Sequence, residues 1–125
     1  MRAKNRDAIL HAEITEEILR ISESGTKIIV EGKKDKESLM KLGLSNIIVL
    51  NKPLYAVTES IDDETVVILT DLDPEGRKLY HKLKSWLSSR GVKVDDTLRR
   101  LLFKAKVRNI EALYGMMQKW KSQKE

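Results

Sequence analysis

The sequence predicts an α/β protein built on a mostly parallel sheet of about four strands flanked by helices. Three observations carry this. Short β-branched apolar runs recur at 28–30, 46–50 and 65–69, without the polar alternation of a half-exposed strand, which marks strands buried on both faces. Between them, apolar residues fall at three- and four-residue steps, the period of an amphipathic helix. Strand–helix alternation in 125 residues implies βαβ units with right-handed crossovers in one domain.

Taken in order, Leu10, Ile14, Ile18 and Ile21 define a helix over about 6–23, stopped by Ser24-Gly25. Ile28-Ile29-Val30 is the first strand and runs into Glu31-Gly32. A helix over 36–42 comes next, with Asp35 as a candidate N-cap and Gly43 as its stop. Residues 46–50 form the second strand, closed by Asn51-Lys52-Pro53. A short helix or irregular stretch at about 54–60 leads to the polar loop Asp62-Asp63-Glu64, and 65–69 is the third strand. Residues 74–90 are a long helix with Leu79, Leu83, Trp86 and Leu87 on one face, ended by Gly91. A short fourth strand at 92–94 closes the core of about 26–94. The segments 96–105 and 110–119 read as helices, and 119–125 as a fraying end.

Composition narrows the function. Hydrophobic residues are 41% and charged residues 34% of the chain, which fits a globular protein rather than a disordered or fibrous one. No apolar run approaches the ~18 residues of a membrane span, so no membrane association is expected. Met1–Arg6 is basic, but Asp7, His11 and Glu13 lie where an apolar stretch would have to be, and no signal peptide is expected. Zero cysteines exclude a disulfide framework, a cysteine nucleophile and a thiolate zinc site, and fit a reducing cytoplasmic compartment. Charge is unevenly placed: residues 1–73 hold 10 Lys+Arg and 14 Asp+Glu, whereas 74–125 hold 14 and 5. A basic C-terminal portion behind an acidic-leaning front points to a polyanion, with nucleic acid the commonest, or else to a solvated cationic surface.

Ligands of open parallel sheets bind beyond the carboxyl ends of the strands. The first strand ends at Glu31-Gly32 and the third at Thr70-Asp71-Leu72-Asp73, so carboxylates 40 residues apart can meet at one rim. Carboxylates gathered beside an apolar core repel one another unless something neutralises them. A hard divalent cation does so, and Mg²⁺ is commonly held by one or two carboxylates, waters and a substrate phosphate. Gly32 and Gly76 leave room for a phosphate backbone. A plainer reading competes at each position: Asp73 before Pro74 looks like an N-cap followed by proline at the first helical turn, Asp35 is explained equally well by capping, and the glycines by tight turns. Capping does not explain Asp71 or Glu31.

The run Ile28-Ile29-Val30-Glu31-Gly32-Lys33-Lys34-Asp35, followed by a strand and turn and then Val66-Val67-Ile68-Leu69-Thr70-Asp71-Leu72-Asp73-Pro74-Glu75-Gly76, resembles the Toprim domain. That domain is shared by topoisomerases, bacterial primases, a group of nucleases and an rRNA-maturing ribonuclease, and the size resembles small stand-alone archaeal-type members. The resemblance covers about 26–90. It implies a Rossmann-like three-layer Toprim fold, Mg²⁺ (or Mn²⁺) on Asp71 and Asp73, and Glu31 as general acid/base or further metal contact. It places Glu75 where type II topoisomerases carry a third metal-linked acid, and Asp35 at a further family position. The turn after the second strand departs from the family, being Asn51-Lys52-Pro53 rather than Gly or another small residue. The nucleophilic tyrosine domain of topoisomerases and the cysteine zinc module of primases have no counterpart here, and Tyr55, Tyr80 and Tyr114 read as core or rim residues. The Asp-x-Asp strand is also similar to that of haloacid-dehalogenase-type phosphatases, but those need Thr soon after the second Asp, where this chain has Pro-Glu-Gly.

Arg99, Arg100, Lys104, Lys106 and Arg108 place five cations in ten residues, with Arg100, Lys104 and Arg108 at four-residue steps opposite Leu98, Leu101, Leu102 and Ala105. Like charges so spaced are mildly unfavourable unless an anion compensates them, and phosphates do so without reading sequence. Arg77, with Lys78, Lys82 and Lys84, adds charge just after the acidic site, and Lys33 and Lys34 add more beside Glu31. With one Phe and two Trp, and Trp86 read as core, no aromatic ladder for stacking a single strand is expected. The expected function is a Mg²⁺-dependent enzyme of nucleic-acid phosphodiesters, a nuclease or RNA-processing activity with water as nucleophile. The alternative is a non-catalytic module that binds Mg²⁺ and nucleic acid within a larger processing complex.

Overall fold

The computed structural model describes residues 2–123 as an α/β fold of Rossmann-like, three-layer form. The elements are α1 (Arg2–Ser24), β1 (Lys27–Val30), α2 (Lys33–Lys41), β2 (Ile47–Val49), α3 (Leu54–Glu59), β3 (Thr65–Leu69), α4 (Pro74–Ser89), β4 (Lys93–Val94), α5 (Thr97–Lys104), a 3₁₀ turn at Ile110–Ala112 and α6 (Leu113–Gln123). The four strands are all parallel in the order β2-β1-β3-β4. Among the described residues no helix is long and apolar enough to cross a membrane.

Alternate side chains of each strand enter different cores, as a sheet covered on both faces requires. Ile28 and Val30 of β1 join Val67 and Leu69 of β3 beneath α1, α2, α5 and α6. Ile29, Val66 and Ile68 face the other way, onto Tyr80, Leu83 and Leu87 of α4 and Val57 of α3. Helix α1 docks through Ile14, Ile18 and Ile21, all buried, the stripe its periodicity predicts; each such side chain contributes roughly 1.5–3 kcal/mol of hydrophobic stabilisation. It stops where Gly25 adopts a left-handed φ of 67°, its N–H donating to the Ile21 carbonyl at 3.0 Å.

Several expectations are corrected. Helix α2 begins at Lys33 rather than 36, and its N-cap is Gly32, so Asp35 stands in the first turn and reaches back to accept from the Gly32 N–H at 3.0 Å. The second half of a capping box is thus present where the N-cap itself was expected. Trp86 is half-buried at the rim of α4 with the Lys82 ammonium 5.5 Å from its ring, not a core residue. The four-residue stripe of cations is broken: α5 ends at Lys104, Lys106 takes a left-handed φ of 62°, and the chain turns to bury Val107. Arg108 lies beyond that turn, not on the face of Arg100 and Lys104. The C-terminal helix continues to Gln123 instead of fraying from Lys119, while residues 124 and 125 lie outside the described residues.

Candidate functional site

The strand order fixes where a ligand would sit. From β1 the chain crosses to β2 on one side, and from β3 to β4 on the other, so the connections diverge between the two central strands. That divergence is the switch point, and the crevice beyond the carboxyl ends of β1 and β3 is the expected binding place. Glu31 follows β1 directly and Asp71 follows β3 by one residue.

The two meet. The Asp71 N–H donates to Glu31 Oε2 at 2.7 Å, and Asp71 Oδ1 in turn accepts from the Ile110 N–H at 3.0 Å. Asp35, buried on the first turn of α2, completes the group. Its carboxyl is pushed up from 3.8 to about 6, chiefly by burial and then by the negative charge of Asp71, with Glu31 and Glu111 acting the same way and the Gly32 N–H opposing. Asp35 therefore feels the charge of three other acids, Asp71, Glu31 and Glu111, at this rim. None of the ion pairs among the described residues ties up Glu31, Asp35, Asp71 or Asp73.

Asp73 is the N-cap of α4: its Oδ1 accepts from the Gly76 N–H at 2.7 Å, with Pro74 next in the chain. Capping occupies one of its oxygens. Glu75 is exposed on the same first turn. Among the described residues no three His, Asp or Glu side chains converge into a ready cage, so the expected four-acid set of Glu31, Asp71, Asp73 and Glu75 is not preassembled. The Glu31–Asp71 pair, with Asp73 two residues on, offers the one or two carboxylates that a largely hydrated Mg²⁺ needs, and the mutual repulsion felt by Asp35 is what such an ion would relieve.

The two glycines differ. A Cβ on Gly76 would lie 2.0 Å from the Asp71 carbonyl oxygen, and Thr70 Oγ1 donates to the Gly76 carbonyl at 2.7 Å, so Gly76 serves the chain's own loop rather than an approaching phosphate. A Cβ on Gly32 would meet only Asp35 Oδ2, at 3.7 Å, on extended backbone with φ −142°.

The clearest correction concerns Arg99. Expected to hold nucleic acid, it is 7% exposed and committed inward, donating to the Thr70 carbonyl at 2.6 Å and the Asp71 carbonyl at 3.1 Å while stacking 4.3 Å from the Tyr80 ring centroid. Burial lowers its pKa, against the raising influence of Tyr80, Glu31 and Asp71. Arg99 thus locks the carboxylate loop and offsets its charge. Arg77, Arg100, Lys104 and Arg108 are exposed, as are Lys33 and Lys34 beside Glu31. Arg100 pairs with Asp96 at 3.1 Å, and the Arg108 carbonyl accepts from the Leu72 N–H at 2.8 Å.

The chain is 36% identical to the UPF0292 protein of Methanocaldococcus jannaschii over 115 residues, spanning 86% of this chain and 89% of that one. It belongs to the UPF0292 family. The UPF0292 protein of Pyrococcus horikoshii is 44% identical over 96 residues, 71% of this chain and 72% of that protein. A solved structure of a protein from Aquifex aeolicus is similar at a TM-score of 0.72 and 36% identity, covering 80% of this chain and 94% of that one. No family model matches. None of the UPF0292 names states an activity.

For this UPF0292 chain the Asp35 acid gives a direct prediction. Its folded pKa is raised, so the fold favours the protonated form; that stabilisation is complete below about 3.8 and is lost as pH rises through about 6. In EDTA, the melting temperature is expected to rise as pH falls from 7 toward 5. Asp35→Asn keeps an acceptor for the Gly32 N–H and is expected to flatten that rise, stabilising the protein at pH 7 by up to about 3 kcal/mol. Calorimetric melts of both proteins across this range check it, and parallel pH curves would remove the assignment.

Proposed function

We propose that this chain is a Mg²⁺- or Mn²⁺-dependent enzyme acting on nucleic-acid phosphodiesters, a nuclease or RNA-processing activity of Toprim type. The observation that carries the reading is the meeting of Glu31 with Asp71 at the switch point of the sheet, with its charge repulsion reaching Asp35. The Glu-Gly and Asp-x-Asp motifs of the Toprim resemblance fall on those two strand ends. Asp71 and Asp73 would hold the cation, with Glu31 beside them and Glu75 in reach only as an outer, solvated acid. A bound divalent cation supplies neutralisation and polarisation of the scissile phosphate.

The remaining work belongs to the chain itself. Glu31, held by the Asp71 N–H through one oxygen, accepts or returns a proton at the attacking or leaving oxygen through the other. Arg99 keeps the loop in place from beneath. Lys33, Lys34, Arg77, Arg100, Lys104 and Arg108 attract the flanking phosphates without reading bases. Gly32 is compatible with this reading: its backbone is extended and a Cβ there would meet only Asp35 Oδ2, at 3.7 Å.

The test is cleavage of end-labelled RNA and DNA, single-stranded and duplex, with Mg²⁺, Mn²⁺ or EDTA. Metal-dependent cutting by the wild type is the expected result. Binding without cutting under every condition would assign the chain instead to a module that delivers nucleic acid to a larger complex. Binding is also expected to weaken linearly on a log–log salt plot, with a slope of roughly −0.7 to −0.9 per phosphate contacted. A flat salt response would remove the role given to the exposed cations.

A further inference from the structure

A second feature lies next to the carboxylate loop. Between α4 and α5 runs a groove of about 300 Å³, at the small end of the range for ligand sites. Leu72 lines it, so the residue between Asp71 and Asp73 belongs at once to the acidic loop and to the groove. Tyr80 and Arg99 line it as a stack, the guanidinium 4.3 Å from the ring centroid, and Phe103 lines it while 60% exposed. Arg77, Arg100 and Lys104, all exposed, also line it, together with His81. The acid among the lining residues is Asp96, and Arg100 stays 66% exposed despite its pair with it.

This combination is unlike a plain phosphate-binding surface. Lysines and arginines alone suffice to hold a duplex backbone, and an aromatic ring left in water among them gains nothing from that contact. An unpaired base gives such a ring a partner, since base–aromatic stacking is tolerant of sequence and adds to backbone attraction. The buried Arg99–Tyr80 stack forms part of the groove's lining and, through the Thr70 and Asp71 carbonyls, ties it to the carboxylate loop.

We infer that the groove between α4 and α5 receives an unpaired nucleotide next to the phosphate held at the acidic rim, with its base on Phe103 and its phosphates against Arg77, Arg100 and Lys104, so that the substrate class is a single strand or an unpaired end. This deepens the phosphodiester reading and rests on it. Phe103, invisible as a stacking residue while the chain lacked an aromatic ladder, acts here as a single platform.

The test measures binding apart from chemistry. Fluorescence anisotropy in EDTA at low salt compares short single-stranded RNA, single-stranded DNA and a blunt duplex of matched length, for wild type and Phe103→Ala. Because Phe103 is exposed, the variant is expected to fold, which its thermal melt verifies. Phe103→Ala is expected to weaken single-strand binding roughly tenfold and leave duplex binding within about twofold, with Phe103→Trp restoring single-strand affinity. Tighter binding of RNA than DNA, or the reverse, identifies the sugar preference, and either supports the groove if the Phe103 loss accompanies it. Unchanged single-strand binding in Phe103→Ala, or equal losses for both strand forms, overturns it. Wild-type protein that binds or cuts nucleic acid while indifferent to Phe103 would sink the groove alone, whereas absence of any polynucleotide binding at low salt, in EDTA and with Mg²⁺ alike, would sink the phosphodiester reading with it.

Discussion

Glu31→Gln is expected to slow metal-dependent cleavage by roughly 10²–10⁴-fold, the usual contribution of a positioned general acid or base, with little loss of oligonucleotide binding. The amide keeps an oxygen that accepts the Asp71 N–H, now at 2.7 Å from Glu31 Oε2, so the link between β1 and the β3 loop survives while the charge and the proton acceptor go. Single-turnover rates at saturating oligonucleotide measure the chemical step, and anisotropy in EDTA measures binding separately. Asp71→Asn is the companion variant. It keeps an acceptor for the Ile110 N–H but removes a charge from the rim, so the Mg²⁺ concentration needed for half-maximal cutting should rise. The same change relieves Asp35 of its strongest repelling neighbour and should lower that acid's titration, visible by NMR. Cleavage that is undiminished in Glu31→Gln would take the proton-transfer role away from this carboxylate.

The features legible in the sequence were those that local spacing records. The β-branched runs and helical stripes became strands and helices within a few residues of the expected bounds, because burial on both faces of a sheet and on one face of a helix leaves its period in the chain. Glu31 and Asp71 were visible as strand-end acids. Their meeting at one rim was expected from those strand ends; that the rim lies where the connections diverge was not legible, since strand order is a property of the whole sheet. Glu111 joined the acid group unannounced: it lies in a basic stretch, and only the packing of the 3₁₀ turn at Ile110–Ala112 beside α2 brings it near Asp35. Arg99 misled for the same reason. In sequence it is one of five cations in ten residues, and nothing local says that its partners are two carbonyls 28 and 29 positions earlier and a tyrosine ring. Arg108 was placed on a stripe by four-residue spacing alone, although the helix was expected to end at 105; α5 does end at Lys104, and Lys106 in left-handed backbone carries the chain off that face.

The two glycines of the site separate structural demand from ligand demand, and a pair of alanine substitutions tests the division. Gly76→Ala drives a methyl to within 2.0 Å of the Asp71 carbonyl oxygen, an immovable backbone atom. Relief requires the Thr70–Asp73 loop to move, which breaks the Asp73 cap at 2.7 Å and the Thr70 hydroxyl bond to the Gly76 carbonyl, also at 2.7 Å. Overpacking of this kind costs about 1–3 kcal/mol or more, and with the lost cap adding about 1 the total is on the order of 3 kcal/mol, or roughly a 10 °C fall in Tm for a domain of this size. Gly32→Ala meets nothing closer than Asp35 Oδ2 at 3.7 Å and sits on backbone open to any residue. Its stability should change by no more than about 1 kcal/mol, the difference between Gly and Ala at an N-cap. Cleavage, however, should fall in Gly32→Ala if a phosphate passes over that backbone. Urea denaturation of both variants beside cleavage rates of Gly32→Ala decides it: a stable Gly32→Ala protein with undiminished cutting would mean that substrate does not approach the acids from the β1 side.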